Sequence, residues 1–282
     1  MNKQSQPAPM DLITLALAED IGSGDKTTEL LIDPKQPGRA VIIARQNLVC
    51  CGLDIVEQVY ARINADVKVH RRVDEGESIS SGSTMAELLG PFHALLTGER
   101  VALNFLQRLS GIATLTKTFS DAIAHTRATL LDTRKTTPGW RILEKTAVRC
   151  GGGANHRMGL FDAILIKENH IAACGGIKPA LEKTRAGGPP NLKIEIEVRS
   201  LDEFQQAFDC KPDMILLDNM SCDDMQRAVD RNESRVLLEA SGNVTRETIT
   251  AIAETGVDYI SVGALTHSAP AADVSMLIEP TC

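Results

Sequence analysis

The sequence predicts an α/β protein of two parts, with a βα barrel as the second. Beyond Arg127, short apolar runs that end in polar residues alternate with helical segments: TLLDTRK, DAILIKEN, KIEIEV, DMILLDN, RVLLEAS and YISVGA. Strands separated by helices in this rhythm build a parallel sheet, most economically a barrel. Six runs are clear, so the barrel is incomplete or hides a seventh strand. The residues before this rhythm mix strands, helices and turns, which sets a first domain over 1–115 and the barrel over 116–267. The tail, 268–282, is too short to stand alone and is expected to pack back on the first domain. Apolar and charged contents of 43% and 24% are those of a globular protein, and no apolar run nears the roughly 20 residues that span a bilayer.

In chain order, MNKQSQPAPM (1–10) is polar and lacks the apolar core of a signal peptide, so a short disordered lead and a cytoplasmic protein are expected. Asp11 is placed to cap a helix over 11–20, where apolar residues recur at helical spacing. The run IGSGDKTTELL reads as a loop, AVIIARQNLVCCG as a strand and LDIVEQVYARIN as an amphipathic helix. VKVHRRV and TMAELLG read as strands on either side of the turn-rich DEGESISSGS. From His93 to about His125 the pattern is helical, interrupted near Ser110 and Gly111. Arg100 falls there among Leu96, Leu103, Leu106 and Leu109, and a charge on an apolar stripe has to reach a partner. That partner is an acid of its own domain or a neighbour's site.

Seven cysteines, an odd number without CxxC spacing, argue against a disulfide framework and a zinc knuckle. Free thiols, mostly buried, are expected. The stretch 131–170 holds seven Lys/Arg against four acids, a net of +3 in a chain of net −7. A basic island in an acidic protein suits a small polyanion; nucleic acid needs a broad positive face, and neither it nor a membrane is an expected partner. Arg141, Lys145 and Arg149, spaced by four, are read as one exposed helical stripe.

The loops after barrel strands converge on one mouth, so polar residues at strand ends are site candidates. Here these are Thr133, Arg134 and Lys135, then Lys167, Glu197 and Asp218, and finally two glycine loops. In KIEIEV, Glu195 and Glu197 project to one side while Ile194, Ile196 and Val198 project to the other. Acids inside a barrel need compensation, from Lys135, Lys167 or a metal. Glu197 and Asp218 together offer hard oxygens suited to Mg²⁺. Ser241-Gly242-Asn243, leading into a helix at Thr245, and Ser261-Val262-Gly263-Ala264 stand where barrels hold a phosphate. The glycines 151–153 precede Asn155-His156-Arg157 and read as a flexible helix end or a close approach. His156 is a poor metal ligand, with no second histidine at helical spacing, and a better donor beside Arg157. Lys167 at a strand end would also suit a Schiff-base aldolase, and the phosphate loops a non-catalytic sensor of phosphorylated metabolites.

The runs LDTRKTTPGWRILEKTAVRCGGGANHRMGLFDAILIKENH, EIEV, ILLDNM and ISVGALTHS, with the earlier ALAEDIGSGDKTT, resemble those of the quinolinate phosphoribosyltransferases. The likeness extends over almost the whole chain. It implies an N-terminal α/β sandwich domain, a C-terminal incomplete, seven-stranded βα barrel, and a homodimer with shared active sites. It also implies an enzyme that joins quinolinate to phosphoribosyl pyrophosphate with Mg²⁺, releasing pyrophosphate and CO₂ in NAD biosynthesis. By the resemblance, Arg134, His156 and Arg157 grip the quinolinate carboxylates, helped by Arg100 of the other subunit, with Thr133 also at the substrate. Lys135 and Lys167 stand beside the pyrophosphate-bearing substrate, and Glu197 and Asp218 handle the ribose hydroxyls and Mg²⁺. Ser241, Gly242, Asn243, Ser261, Val262, Gly263 and Ala264 would hold the 5′-phosphate.

Overall fold

The computed structural model describes residues 9–281. They form two compact units, one of 9–117, Thr136–Gly152 and 265–281, the other of Thr118–Lys135 and Gly153–Ala264. The expected boundary at 115/116 assigns 136–152 to the barrel, but that segment packs with the first unit.

The chain begins with α1 (Pro9–Ile21), α2 (Lys26–Leu31), β1 (Pro37–Ala44), β2 (Leu48–Val49), α3 (Leu53–Ile63), β3 (Lys68–Arg71), β4 (Ser78–Ile79), β5 (Thr84–Pro91) and α4 (Phe92–Ala122). It continues with β6 (Thr129–Leu131), α5 (Arg141–Cys150), β7 (Ile164–Ile166), α6 (Glu168–Cys174), α7 (Ile177–Gly187), β8 (Ile194–Val198), α8 (Leu201–Asp209) and β9 (Met214–Asp218). The last elements are α9 (Cys222–Asn232), β10 (Leu237–Ser241), α10 (Ile249–Glu254), β11 (Tyr259–Ser261), α11 (Ala264–His267) and β12 (Val274–Pro280). Residues 1–8 of the expected lead, and Cys282, lie outside the described residues. Helix α1 starts two residues before Asp11, so that residue is not its cap.

In the first unit, an antiparallel sheet runs β12-β1-β5-β3, and β1 alternates exposed and buried positions as a half-buried strand does. Helix α3 buries Leu53, Ile55, Val56, Val59 and Tyr60, each worth about 1.5–3 kcal/mol for the large apolar side chains. The glycine-rich stretch read as a loop contains α2, because Asp25 accepts the Thr28 N–H at 3.0 Å and closes the first turn. Helix α4 runs 31 residues without a break. Gly111 is needed there for close packing: a Cβ would lie 2.0 Å from the Pro270 carbonyl oxygen. On α5, Lys145 is fully buried and the expected exposed stripe fails, since this helix also buries Leu143, Glu144, Ala147 and Val148. The glycines after it are likewise a packing device, because a Cβ on Gly151 would lie 2.3 Å from the Ala113 oxygen. Of the described cysteines, all six are free, but only Cys50 and Cys51 are buried and Cys222 is exposed.

In the second unit, a parallel sheet runs β6-β11-β10-β9-β8-β7. It has six strands where seven were expected. The seventh place is taken by one parallel bridge, Leu131 to Ala154, in which Ala154 N–H donates to Leu130 and its carbonyl accepts from Asp132. Ile196, Val198, Ile215, Leu217, Leu238, Ala240 and Ile260 face away from the barrel interior and are almost wholly buried, as are Phe204, Met225, Ala228 and Ile252 of the surrounding helices. Ser200 and Ser221 cap α8 and α9, each followed by two acids in the first turn, where the helix dipole favours them. Among the described residues no helix is long and apolar enough to cross a membrane.

One buried carboxylate ties several segments of the first unit. Glu144 is fully buried and accepts from Arg108 at 2.9 Å, Thr137 N at 3.0 Å and Thr137 Oγ1 at 2.8 Å. Removing one partner of a buried pair strands the other. Glu144→Ala is expected to cost roughly 3–5 kcal/mol in denaturant unfolding, and Glu144→Gln less.

Candidate active site

The parallel register sets the site. Strand side chains alternate, so Leu165 and Lys167, Glu195 and Glu197, Leu216 and Asp218, and Glu239 and Ser241 turn to the inside of the barrel. Every member of these rows except Glu195 lines a cavity of about 500 Å³ at the carboxyl ends of the strands, together with Thr133, Arg134, Lys135, His156, Arg157, Asn219, Gly242, Asn243 and Ser261. This size suits one or two small ligands. Glu195, with Met214, Leu237 and Tyr259 from the starts of the neighbouring strands, borders a second cavity of about 320 Å³.

His156 stands between the two. Its Nε2 is 3.1 Å from Glu195 and 3.4 Å from Glu239, both buried. Burial alone would lower the imidazole pKa, but hydrogen bonds to the two acids push it up to about 10. Against this, the Arg157 N–H points at Nδ1 from 2.8 Å, and only a ring unprotonated at Nδ1 can accept it. The ring therefore turns its Nε2 proton to the two acids, and burial, followed by the Glu239 charge, pushes the Glu195 pKa up. The three residues bring metal-ligand-type atoms within 4.8 Å of one another, but here those atoms serve each other.

The segment carrying His156 is pinned from below. Asp132, fully buried, accepts the His156 N–H at 3.0 Å and the Asn155 amide at 2.5 Å. Asp162 accepts the Met158 and Gly159 amides at 2.6 and 2.8 Å, which hold its carboxyl below the usual range despite burial. Arg157 donates to the Ala163 carbonyl at 3.1 Å. Burial, then the neighbouring Arg134 guanidinium, lowers the Arg157 pKa. Two like charges held together are relieved by an anion, and planar guanidinium forks suit carboxylates.

At the rim, Lys167 Nζ is 2.6 Å from Glu197. Arg199 reaches Glu197 and Asp218, each at 3.3 Å, and Glu168 at 3.5 Å. Asp218 also accepts from Asn219 at 3.0 Å. Gly242 has φ +95°, and a Cβ there would lie 2.3 Å from Asn219 Oδ1, so only glycine fits the turn. Asn243 donates to Asn219 at 2.9 Å and Ser261 to Ser241 at 3.0 Å. The helix expected from Thr245 starts at Ile249, so it is the loop backbone that borders the cavity. Val262 is buried and its N–H is taken by Leu131; Val262, Gly263 and Ala264 are not among the lining residues.

Residues 112–277 match the family model described as quinolinate phosphoribosyl transferase, C-terminal domain, and 25–110 match that of its N-terminal domain. The chain belongs to the quinolinate phosphoribosyltransferase family. It is 42% identical over 258 residues to a probable carboxylating nicotinate-nucleotide pyrophosphorylase of Bacillus subtilis (strain 168), covering 92% of this chain and 89% of the relative. A decarboxylating quinolinate phosphoribosyltransferase of Nicotiana tabacum is 40% identical, with 95% of this chain and 81% of that one covered. The nicotinate-nucleotide pyrophosphorylase of Francisella tularensis superposes with a TM-score of 0.92 at 42% identity, over 99% of this chain and 100% of that one.

In this family member the cavity gathers Thr133, Arg134, Lys135, His156, Arg157, Lys167, Glu197, Asp218, Ser241, Gly242, Asn243 and Ser261. Arg100 belongs to the first unit, where it is exposed on α4 and not on a buried stripe. The partner expected for Glu195 was Lys135, Lys167 or a metal; the side chain beside it is His156. Sequence reasoning missed Arg199, Asn219 and Glu239. Glu239 had a signal, an acid inside the apolar run RVLLEAS; Arg199, just past a strand, had only its place beside Glu197. Asp132→Asn, which puts an amide donor against the Asn155 side chain, is expected to cost about 1–3 kcal/mol in denaturant unfolding.

Proposed function

We propose that this chain transfers the phosphoribosyl group of phosphoribosyl pyrophosphate to quinolinate, giving nicotinate mononucleotide, pyrophosphate and CO₂ in the synthesis of NAD. The observation that carries this reading is the pairing of Arg134 with Arg157 beside His156, across one cavity from Lys167, Glu197 and Asp218. Two carboxylates of a small aromatic acid fit the guanidinium pair, and each charge-assisted bond is worth about 1.5–3 kcal/mol.

The quinolinate ring nitrogen attacks the sugar C1, and the bond from C1 to the pyrophosphate oxygen breaks. Positive charge develops on the sugar and negative charge on the leaving group, which Lys135 and Lys167 stabilise. The 2-carboxylate then departs as CO₂, its bonding electrons stay on the ring carbon beside the cationic nitrogen, and that carbon takes a proton. Thr133 lies beside the carboxylate-binding arginines. Ser241, Gly242, Asn243 and Ser261 receive the 5′-phosphate, with Gly263 and Ala264 behind them. Lys167 is salt-bridged to Glu197 at 2.6 Å, which opposes the neutral amine that a Schiff-base aldolase needs.

Glu197 and Asp218 fit Mg²⁺ by their chemistry: two hard carboxylates meet at the Arg199 guanidinium, with Lys167 also on Glu197. A bound Mg²⁺ would neutralise charge on the pyrophosphate. The same two residues orient the ribose hydroxyls. The working unit in this reading is a homodimer in which Arg100 of one subunit completes the other's carboxylate site; its exposure supports this. The six free thiols support a cytoplasmic location.

Incubation with quinolinate, phosphoribosyl pyrophosphate and Mg²⁺ should release CO₂ and nicotinate mononucleotide; no CO₂ would refute the reading. Arg157→Ala should raise the KM for quinolinate by ten-fold or more, on the order of the 1.5–3 kcal/mol bond it loses, with circular dichroism unchanged. Mixing inactive Arg100→Ala with inactive Lys167→Ala should restore part of the activity, and verified mixed dimers without recovery would count against shared sites.

A further inference from the structure

A second cluster of reactive side chains belongs to the first unit. Cys51 Sγ, Cys150 Sγ and a Glu75 carboxylate oxygen all lie within 4.8 Å of one another. We propose that Cys51 and Cys150 are a reactive dithiol, a modification site for low-molecular-weight disulfides that closes to an intramolecular disulfide.

The two thiols are unequal. Cys51 is buried, and its backbone is held by Ser110 on both sides: Oγ accepts the Cys51 N–H at 3.0 Å and donates to the Cys51 carbonyl at 3.1 Å. Cys150 is half-exposed at the end of α5. With the sulfurs this close, the Cys150 neighbour and then burial drive the Cys51 pKa up, while the Cys51 thiol pulls that of Cys150 down. Glu75 is fixed beside them by the amides of Gly52 at 2.8 Å and Asp54 at 3.2 Å. A partly exposed thiol of lowered pKa beside a buried thiol of raised pKa is an attacking and resolving pair.

The sequence of steps is balanced. The Cys150 thiolate attacks one sulfur of the reagent RSSR, forming Cys150–S–S–R and releasing RS⁻. Cys51 gives its proton through Glu75 to water, and its thiolate attacks the Cys150 sulfur, releasing the second RS⁻. Each RS⁻ takes up a proton, so two thiols are oxidised and one RSSR is reduced to two RSH. The sulfurs have to close to about 2.05 Å from a starting separation of at most 4.8 Å. Cys50, the adjacent residue, is also buried and its thiol pKa is raised by burial, so it is not the attacking group.

The test is incubation of the full chain with oxidised glutathione, alkylation of the remaining thiols, and peptide mapping. The peptides containing Cys51 and Cys150 are expected to be cross-linked, and the link should disappear on reduction. Cys51→Ser should leave Cys150 trapped as a glutathione mixed disulfide, and Cys150→Ser should leave Cys51 as a free thiol. Recovery of both wild-type residues as alkylated thiols would overturn the proposal. So would a link from Cys150 to Cys50, or glutathione on Cys51 in Cys150→Ser. The wild-type map decides even if a variant fails to fold.

Discussion

Carboxylates placed inside a barrel must be neutralised where they stand, and much of the second unit follows from that requirement. Glu195, Glu197 and Glu239 are each at most 5% exposed. In so dry a setting an unpaired charge costs several kcal/mol. Each acid therefore recruits a cation or a proton: His156 for Glu195 and Glu239, Lys167 and Arg199 for Glu197. The cations so recruited are those that border the cavity, and the acids that look like a liability of the sequence are what hold them in position. Polar pairs of this kind fix geometry more than they stabilise, and it is the apolar outer face of the strands, buried beneath the helices, that supplies the cohesion.

The same logic separates two depths within the barrel. Near the mouth, Glu197 and Asp218 share the Arg199 guanidinium, which is half-exposed and free to yield its place. Deeper down, Glu195 and Glu239 flank His156 Nε2 at 3.1 and 3.4 Å in a buried cluster. Exchangeable partners lie where ligands enter, and fixed ones where the ring must not move.

The barrel was legible because its signal is local: an apolar run with a polar end is visible in a handful of residues. Register then turned those ends inward, and Arg134, Lys135, Lys167, Glu197 and Asp218 met at one cavity as their strand-end positions implied. What could not be read were partners distant in sequence. Lys145 sits at surface-like spacing yet is buried, because the surroundings of α5 are set by tertiary packing. Gly111 looked like a break but admits a neighbouring backbone that no local pattern reveals, whereas at Gly151 the close approach was one of the two readings and only its partner, Ala113, was hidden. The α2 helix was hidden behind glycines, although its capping aspartate, Asp25, was in plain view. Arg199 was overlooked since a lone arginine after a strand looks like any solvated charge.

The lone bridge at Ala154 has a consequence of its own. In an extended ladder, consecutive side chains point to opposite faces, so one of two neighbouring residues would be sent outward. His156 and Arg157 are neighbours, yet both border the same cavity. They can do so because the wall of the barrel gives up regular pairing at that point and relies on the Asp132 and Asp162 carboxylates to hold the main chain. The gap in the staves is thus what doubles the number of nitrogen-bearing side chains that a single turn of polypeptide delivers to the interior.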